Sequence, residues 1–246
     1  FVRLTGCPLR CGYCDTAYAF KGGEWWEIDD ILASVAQYEA RYVTVTGGEP
    51  LAQADCAVLL TALCDAGYRV SLETSGSVDI SGVDPRVVRV MDLKTPGSGE
   101  LDKNLYANID RLRPTDQVKF VITDEDDYHW SREQLQRWGL AARCEVLFSP
   151  VAGEMPPQRL ADWILRDRLD VRFQLQLHKI LWGDQPGRCT RSRTCPSYCC
   201  RGGWTRPPCW PWPWRAASAV IHSAWTTASA IIPNWPRHAA SLPRSA

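Results

Sequence analysis

The sequence predicts an α/β fold, an open and partial β/α barrel. Three observations carry that prediction. Apolar, β-rich runs recur along residues 1–188, and segments with one apolar and one polar face lie between them. That stretch is also too short for a closed ring of eight strand–helix units.

The elements follow in order. Phe1 to Leu4 reads as the first strand, and Ile28 to Tyr38 has helical apolar spacing with a polar face. Tyr42 to Thr46 reads as the next strand and ends in Gly47-Gly48-Glu49-Pro50, before a helical pattern over Leu51 to Ala66. Strands are predicted at Tyr68 to Glu73 and Val87 to Leu93, then a helix at Asn104 to Leu112. Gln117 to Thr123 is a strand, Ser131 to Leu140 a helix, Glu145 to Phe148 a strand, Pro157 to Arg166 a helix and Val171 to Leu177 the last strand. Such alternation implies a parallel sheet with right-handed crossovers, and chemistry in these folds gathers at the carboxyl ends of the strands.

Composition bounds the function classes. Formal net charge is zero, but the average joins two different polypeptides. From Cys189 onward the chain has no Asp, Glu or Lys, yet carries six of the 12 Trp and five of the 11 Cys. The body is therefore acidic and the tail basic. Such a tail has the composition of a nucleic-acid or membrane patch, a reading set aside below. No apolar run is long enough to span a bilayer and no basic-then-apolar leader opens the chain, so a cytoplasmic protein without membrane or nucleic-acid partners is expected. Because the first residue is Phe1, the natural start is expected to be missing.

The segment Cys7-Pro8-Leu9-Arg10-Cys11-Gly12-Tyr13-Cys14 puts three thiols in one tight loop directly after the first strand. Three thiolates can hold three irons of a cubane, leaving the fourth without a protein ligand. Soft thiolates suit an iron–sulfur cluster or zinc, and no fourth Cys or His stands nearby at finger-like spacing, which argues against a closed zinc site. Cys56, Cys64 and Cys144 lie on helical or strand patterns and read as small buried hydrophobes. His129, among acidic residues ahead of a helical pattern, reads as solvent-facing.

A CxxxCxxC loop followed by a strand ending in GGEP resembles the radical S-adenosylmethionine superfamily. More particular marks resemble its 7-carboxy-7-deazaguanine synthase family: Cys14-Asp15-Thr16, the first strand with Arg3, Asp92-Leu93-Lys94-Thr95-Pro96, and Gln176-Leu177-His178-Lys179. The resemblance covers about residues 1–188. It implies a partial barrel of the radical S-adenosylmethionine type and a [4Fe–4S] cluster on Cys7, Cys11 and Cys14, whose open iron is chelated by S-adenosylmethionine. It further implies cofactor contacts from Gly47, Gly48, Glu49, Thr74, Ser75 and Lys94, with Glu73-Thr74-Ser75-Gly76 ending its strand beside the cofactor. Thr16 becomes a Mg²⁺ ligand, and Arg3, Thr46 and His178 substrate contacts; no protein acid or base is assigned. The implied reaction turns 6-carboxy-5,6,7,8-tetrahydropterin into 7-carboxy-7-deazaguanine with loss of ammonia. A flavodoxin-like or other reductant and a homodimer are the expected partners. The family's Gly-Glu-Gly substrate turn, which precedes the first strand, is absent here.

The tail has a separate explanation. Tyr198 to Trp204, back-translated and shifted by one base, admits LLSGGLDS, which resembles the phosphate-binding loop of ATP pyrophosphatases. In the same frame His222 to Trp235 admits FSLDYGQRHHSEL. Both strings resemble 7-cyano-7-deazaguanine synthase, so residues 189–246 are expected to be frameshift-derived or disordered. The inserted or deleted base is expected around Gln185 to Thr190. Two rivals stay open on sequence: a glycyl-radical-enzyme activase, with the same cysteine spacing and glycine turn, and a non-enzymatic zinc-binding module.

Overall fold

The structure, a computed structural model, describes residues 1–183 and the backbone of 198–200. The chain divides into two compact units, Phe1–Trp212 and Pro213–Ala246, and the second lies wholly outside the described residues. So do the stretch around Gln185 to Thr190 and all of the frame-shifted strings except Tyr198–Cys200.

Strands β1 (Val2–Leu4), β2 (Glu24–Trp26), β3 (Tyr42–Gly47), β4 (Arg69–Thr74), β5 (Val88–Asp92), β6 (Gln117–Ile122), β7 (Glu145–Pro150), β8 (Arg172–Phe173) and β9 (Tyr198–Cys200) form one sheet. Its order is β2-β9-β1-β3-β4-β5-β6-β7-β8, every pair parallel, and the end strands do not pair with each other. The expected open β/α sheet is therefore what forms.

The helices are α1 (Ile28–Ala36), α2 (Cys56–Asp65), α3 (Glu125–Arg137), α4 (Leu140–Arg143), α5 (Pro157–Asp167) and α6 (Leu177–Trp182). One face of the sheet is apolar, as period-2 alternation requires. Val2, Leu4, Val43, Val45, Val70 and Leu72 pack against Ile31 of α1 and Leu59, Leu60 and Leu63 of α2. Farther along, Val118, Phe120, Ile122, Val146 and Phe148 pack against Tyr128, Leu135, Leu140, Leu160 and Trp163 from α3 to α5. Cys56, Cys64 and Cys144 are buried, as their patterns implied.

On the opposite face β1, β3 and β4 carry the half-buried polar residues Arg3, Thr44, Thr46, Ser71 and Glu73, while β5 to β7 mix Asp92 and Lys119 with buried Val90, Val121 and Leu147. Thr44 and Ser71 hydroxyls lie 2.9 Å apart, and the Lys119 ammonium sits 2.9 Å from Glu73. Parallel strands covered on both faces are usually apolar throughout. The polar positions on β1, β3 and β4 depart from that pattern.

Several element boundaries differ from expectation, each for a local reason. The Leu51 to Ala66 pattern splits into a 3₁₀ turn at Pro50–Ala52 and helix α2, because Glu49 takes the Leu51 N–H at 3.0 Å and bends the chain first. The Asn104 to Leu112 segment forms 3₁₀ turns, since Asn108 spends its amide on Gly76 O, Val78 O and Ile80 N. Helix α3 starts six residues before Ser131: Asp124 caps it by accepting from Asp127 N at 2.9 Å, and its acidic first turn suits the helix N-terminus. His129 thus lies on the helix rather than ahead of it, with a side chain 41 % exposed. Of Val171 to Leu177 only Arg172–Phe173 is strand, and α6 begins at Leu177.

Candidate active site

The three cysteines sit on a loop that leaves the carboxyl end of β1, and their positions are set by backbone bonds. Gly6 N donates to Ala19 O at 2.9 Å, Glu49 N to Gly6 O at 2.8 Å, Gly12 N to Ser98 O at 3.0 Å and Cys14 N to Cys11 O at 3.1 Å. Gln53 reaches across to Thr5 O at 2.8 Å, while Leu9, 1 % exposed, anchors the loop from beneath. The loop is thus clamped between the turn after β3 and the turn after β5.

The two glycines of GGEP have a visible steric cause. A Cβ on Gly48 would lie 2.2 Å from Gly6 O and 2.7 Å from Cys7 Cβ, and one on Gly47 would lie 2.1 Å from Leu4 O. The cysteine loop passes directly over this turn, where a side chain has no room. Glu49 is fully buried and accepts four hydrogen bonds, from Leu51 N (3.0 Å), Thr74 Oγ1 (2.9 Å), Ser75 N (2.6 Å) and Ser75 Oγ (2.5 Å). Thr74 and Ser75, read from sequence as cofactor contacts, are spent on Glu49 here. They lock the ends of β3 and β4 together beneath the loop.

Lys94 lies on the next strand end. It is 7 % exposed, its ammonium is 2.8 Å from Asp92 Oδ2, and the Tyr13 ring centroid stands 6.0 Å from Nζ. Asn104 holds its backbone from both sides, accepting from Lys94 N and donating to Lys94 O, each at 2.8 Å. Burial works against the charge, but Asp92 and Cys11 outweigh it and raise the ammonium's pKa. The Cys7 and Cys11 thiols are pushed up chiefly by burial, with Lys94 acting against burial on Cys11 more strongly than any other charge.

The substrate-side candidates lie on β1, β3 and α6, and Asp15 of the cysteine loop lies within reach of both Arg3 and His178. Arg3 stands in register with Thr46 across the β1–β3 pair, donates to Gly47 O at 3.3 Å and lies 5.6 Å from the Tyr18 ring centroid. His178, 163 residues after Asp15, meets that carboxylate at 3.1 Å and so ties α6 to the cysteine loop. Burial would raise the Asp15 pKa, but His178, Lys179 and Arg3 reverse the shift and hold it below the usual carboxylate range. Thr16 Oγ1 is 3.7 Å from Cys14 Sγ.

Among the described residues no three His, Cys, Asp or Glu side chains stand close enough to hold one metal ion between them. The donor set nevertheless suits a multi-iron cluster: three soft thiols from one backbone-fixed loop, beside a buried cation. Two buried polar atoms, Tyr13 Oη on that loop and Asp92 Oδ1 on the partner of Lys94, have no hydrogen-bond partner. Sequence reasoning missed Asp15, Tyr13 and the Glu73–Lys119 pair as site features. The signal for the pair was present, since Glu73 and Lys119 both stand at positions that alternate with buried apolar residues on their strands.

Residues 1–92 match the Radical SAM superfamily domain. The 7-carboxy-7-deazaguanine synthase of Chlorobaculum tepidum is 45 % identical over 185 residues, which span 74 % of this chain and 84 % of that protein. The enzyme of the same name from Koribacter versatilis is 41 % identical, over 74 % of this chain and 87 % of its own. Among solved structures, Streptococcus suis SuiB bound to its precursor peptide SuiA shares the fold at a TM-score of 0.55 with 14 % identity. That match covers 71 % of this chain and 47 % of SuiB.

Proposed function

The chain belongs to the 7-carboxy-7-deazaguanine synthases of the radical S-adenosylmethionine superfamily, and from that premise we propose that it converts 6-carboxy-5,6,7,8-tetrahydropterin to 7-carboxy-7-deazaguanine, releasing ammonia. The observation that carries the residue-level reading is the cysteine loop locked over the GGEP turn at the strand ends.

Cys7, Cys11 and Cys14 would hold a [4Fe–4S] cluster, with one iron left for the amine and carboxylate of S-adenosylmethionine. When bound, cluster and cofactor would supply the radical chemistry of hydrogen-atom abstraction. The chain's own residues then bind, orient and exclude water. Gly47, Gly48 and Glu49 give the cofactor a rigid floor, with Thr74 and Ser75 bracing Glu49, and Lys94 adds a buried positive charge beside it. Arg3 offers a planar guanidinium to the pterin carboxylate, with Thr46 at its side. Asp15 fixes the orientation of His178, which faces the substrate from α6. Thr16 supplies a hard oxygen ligand for one Mg²⁺, an ion that tolerates few protein ligands.

An external one-electron donor of the flavodoxin class completes the system, and the family's usual homodimer is the assembly proposed. Among the described residues no helix is long and apolar enough to cross a membrane. The test is a product assay under anoxic conditions with the tetrahydropterin, S-adenosylmethionine, Mg²⁺ and reductant. Appearance of 7-carboxy-7-deazaguanine supports the reading. Reductive cleavage of the cofactor with intact pterin would overturn the substrate assignment.

A further inference from the structure

Helix α3 carries a buried carboxylate that no step of the proposed chemistry uses. Asp127, in the first turn of α3, is fully enclosed. Its Oδ1 accepts from Gly97 N at 2.7 Å, and its Oδ2 from Thr123 N at 3.0 Å, Thr123 Oγ1 at 2.6 Å and Thr95 Oγ1 at 3.0 Å. Thr95 caps the 3₁₀ turn Pro96–Ser98 that follows β5, and Gly97 is its middle residue. The turn rests on the carboxylate without clearance, since a Cβ on Gly97 would lie 2.6 Å from Asp127 Oδ2 and 2.2 Å from Thr123 Oγ1. Ser98 closes the turn by donating its hydroxyl to Thr95 O at 2.6 Å and accepting from Glu100 N at 3.1 Å.

Two groups of this segment reach the cysteine loop. Ser98 O accepts from Gly12 N at 3.0 Å, and Glu100 Oε1 accepts from Arg10 N at 2.5 Å. Arg10 and Gly12 are the neighbours of Cys11 on either side, so the middle cysteine is held at both flanks from one turn. Cys14 N donates to Cys11 O at 3.1 Å and is placed along with it. Residues 5–14 contain no helix or strand, so tertiary bonds of this kind are what fixes the loop. Cys7 is placed separately, through Gly6 against the GGEP turn. We propose that Asp127 is a positioning residue for the cluster: it seats the Pro96–Ser98 turn, and the turn sets where Cys11 and Cys14 stand relative to Cys7; this rests on the cluster assignment above. A carboxylate is required because both of its oxygens face donors. In Asp127→Asn the amide NH₂ would replace one acceptor and oppose either Gly97 N–H or Thr123 N–H, whichever way the group turns.

The contact is read first without metal. Amide hydrogen exchange of the iron-free chain, followed by mass spectrometry on peptides spanning residues 8–14, is compared in wild type, Asp127→Asn and Leu60→Ala. Leu60 is fully buried in α2 within the other part of the core, so its truncation lowers stability without touching the turn. Asp127→Asn should speed exchange of the loop by roughly tenfold, as expected for the loss of one hydrogen bond, while Leu60→Ala leaves it near wild type. After anoxic loading with iron and sulfide, Asp127→Asn should lose iron that Leu60→Ala retains. Unchanged loop exchange in Asp127→Asn, or iron per chain equal to wild type, overturns the proposal, and so does an equal loss in Leu60→Ala. If Asp127→Asn does not fold, Thr95→Val, which removes one hydroxyl from the same contact, decides alone, and unchanged loop exchange in that variant overturns the proposal. A wild-type chain that binds no iron refutes the cluster assignment instead, while the exchange comparison still reads the grip of Asp127 on the loop.

Discussion

Replacing Gly48 with Ala tests how tightly the GGEP turn and the cysteine loop are packed. The added methyl would sit 2.2 Å from Gly6 O and 2.7 Å from Cys7 Cβ, and both neighbours belong to the loop. Ordinary carbon contacts lie at about 3.5 Å, so the loop must retreat by roughly 1 Å. It cannot retreat freely, because Glu49 N holds Gly6 O at 2.8 Å and Gly48 N holds Leu4 O at 3.1 Å. Overpacking of this kind costs about 1–3 kcal/mol, and a displacement of about 1 Å at a reacting centre can cost about a hundredfold in rate. Urea unfolding and iron per chain after anoxic loading measure both consequences. Gly12→Ala serves as the comparison, since a Cβ there meets nothing within 4 Å. The expected result is lost stability and lost iron in Gly48→Ala, with both retained in Gly12→Ala. A Gly48→Ala protein with wild-type stability and iron content would refute the packing argument.

Asp116 is buried and accepts from Arg89 and Arg113, with Arg113 N at 2.8 Å and Arg89 N at 3.0 Å. Asp116→Ala leaves the buried Arg89 guanidinium without its carboxylate and should cost about 3–5 kcal/mol in denaturant unfolding. Burial pushes the Asp116 carboxyl up, but the two arginines reverse this and hold it below the usual carboxylate range. Its stabilising contribution is therefore complete above about pH 4, the unfolded value, and is lost as pH falls through the lower folded value. The gap in urea midpoint between wild type and Asp116→Ala should narrow at the acid end, and a gap constant down to the acid limit would show that the carboxylate is not the stabilising form. Leu60→Ala removes a fully buried side chain of α2 and should cost about 2–5 kcal/mol, read as a lowered melting temperature. Thr16→Ala should keep its iron and lose stimulation of turnover by Mg²⁺; unchanged magnesium dependence would remove Thr16 from the site.

Much of the fold was legible because strands of a one-sided sheet advertise themselves. Val43 and Val45, and Val70 and Leu72, alternate with polar neighbours, Lys119 separates Val118 from Phe120, and each set lies in the core. The cysteine loop and GGEP were legible as motifs, although the reason for the glycines was not. Sequence reasoning gave the glycines a cofactor role, and the structure adds a packing reason for them, since the space a Cβ would need is filled by the loop and by β1. Helix α3 began earlier than its apolar pattern because Asp127 is buried. It accepts from Thr95 Oγ1 at 3.0 Å and Gly97 N at 2.7 Å, so a residue that looks solvated is a tertiary clamp. Contacts such as Asp15 with His178 join positions 163 residues apart, which no local pattern encodes. Strand β2 was missed because Glu24–Trp26 is short and mostly exposed, with no alternation to read.

Every step of the proposed chemistry needs an iron that no protein atom claims. The most direct measurement is electron paramagnetic resonance of the anoxically loaded, dithionite-reduced chain, recorded with and without S-adenosylmethionine. A cluster on Cys7, Cys11 and Cys14 should give a reduced [4Fe–4S] signal whose shape changes when the cofactor is added, and Cys11→Ala should abolish it. A signal indifferent to S-adenosylmethionine, or a colourless protein carrying stoichiometric zinc, would contradict the account.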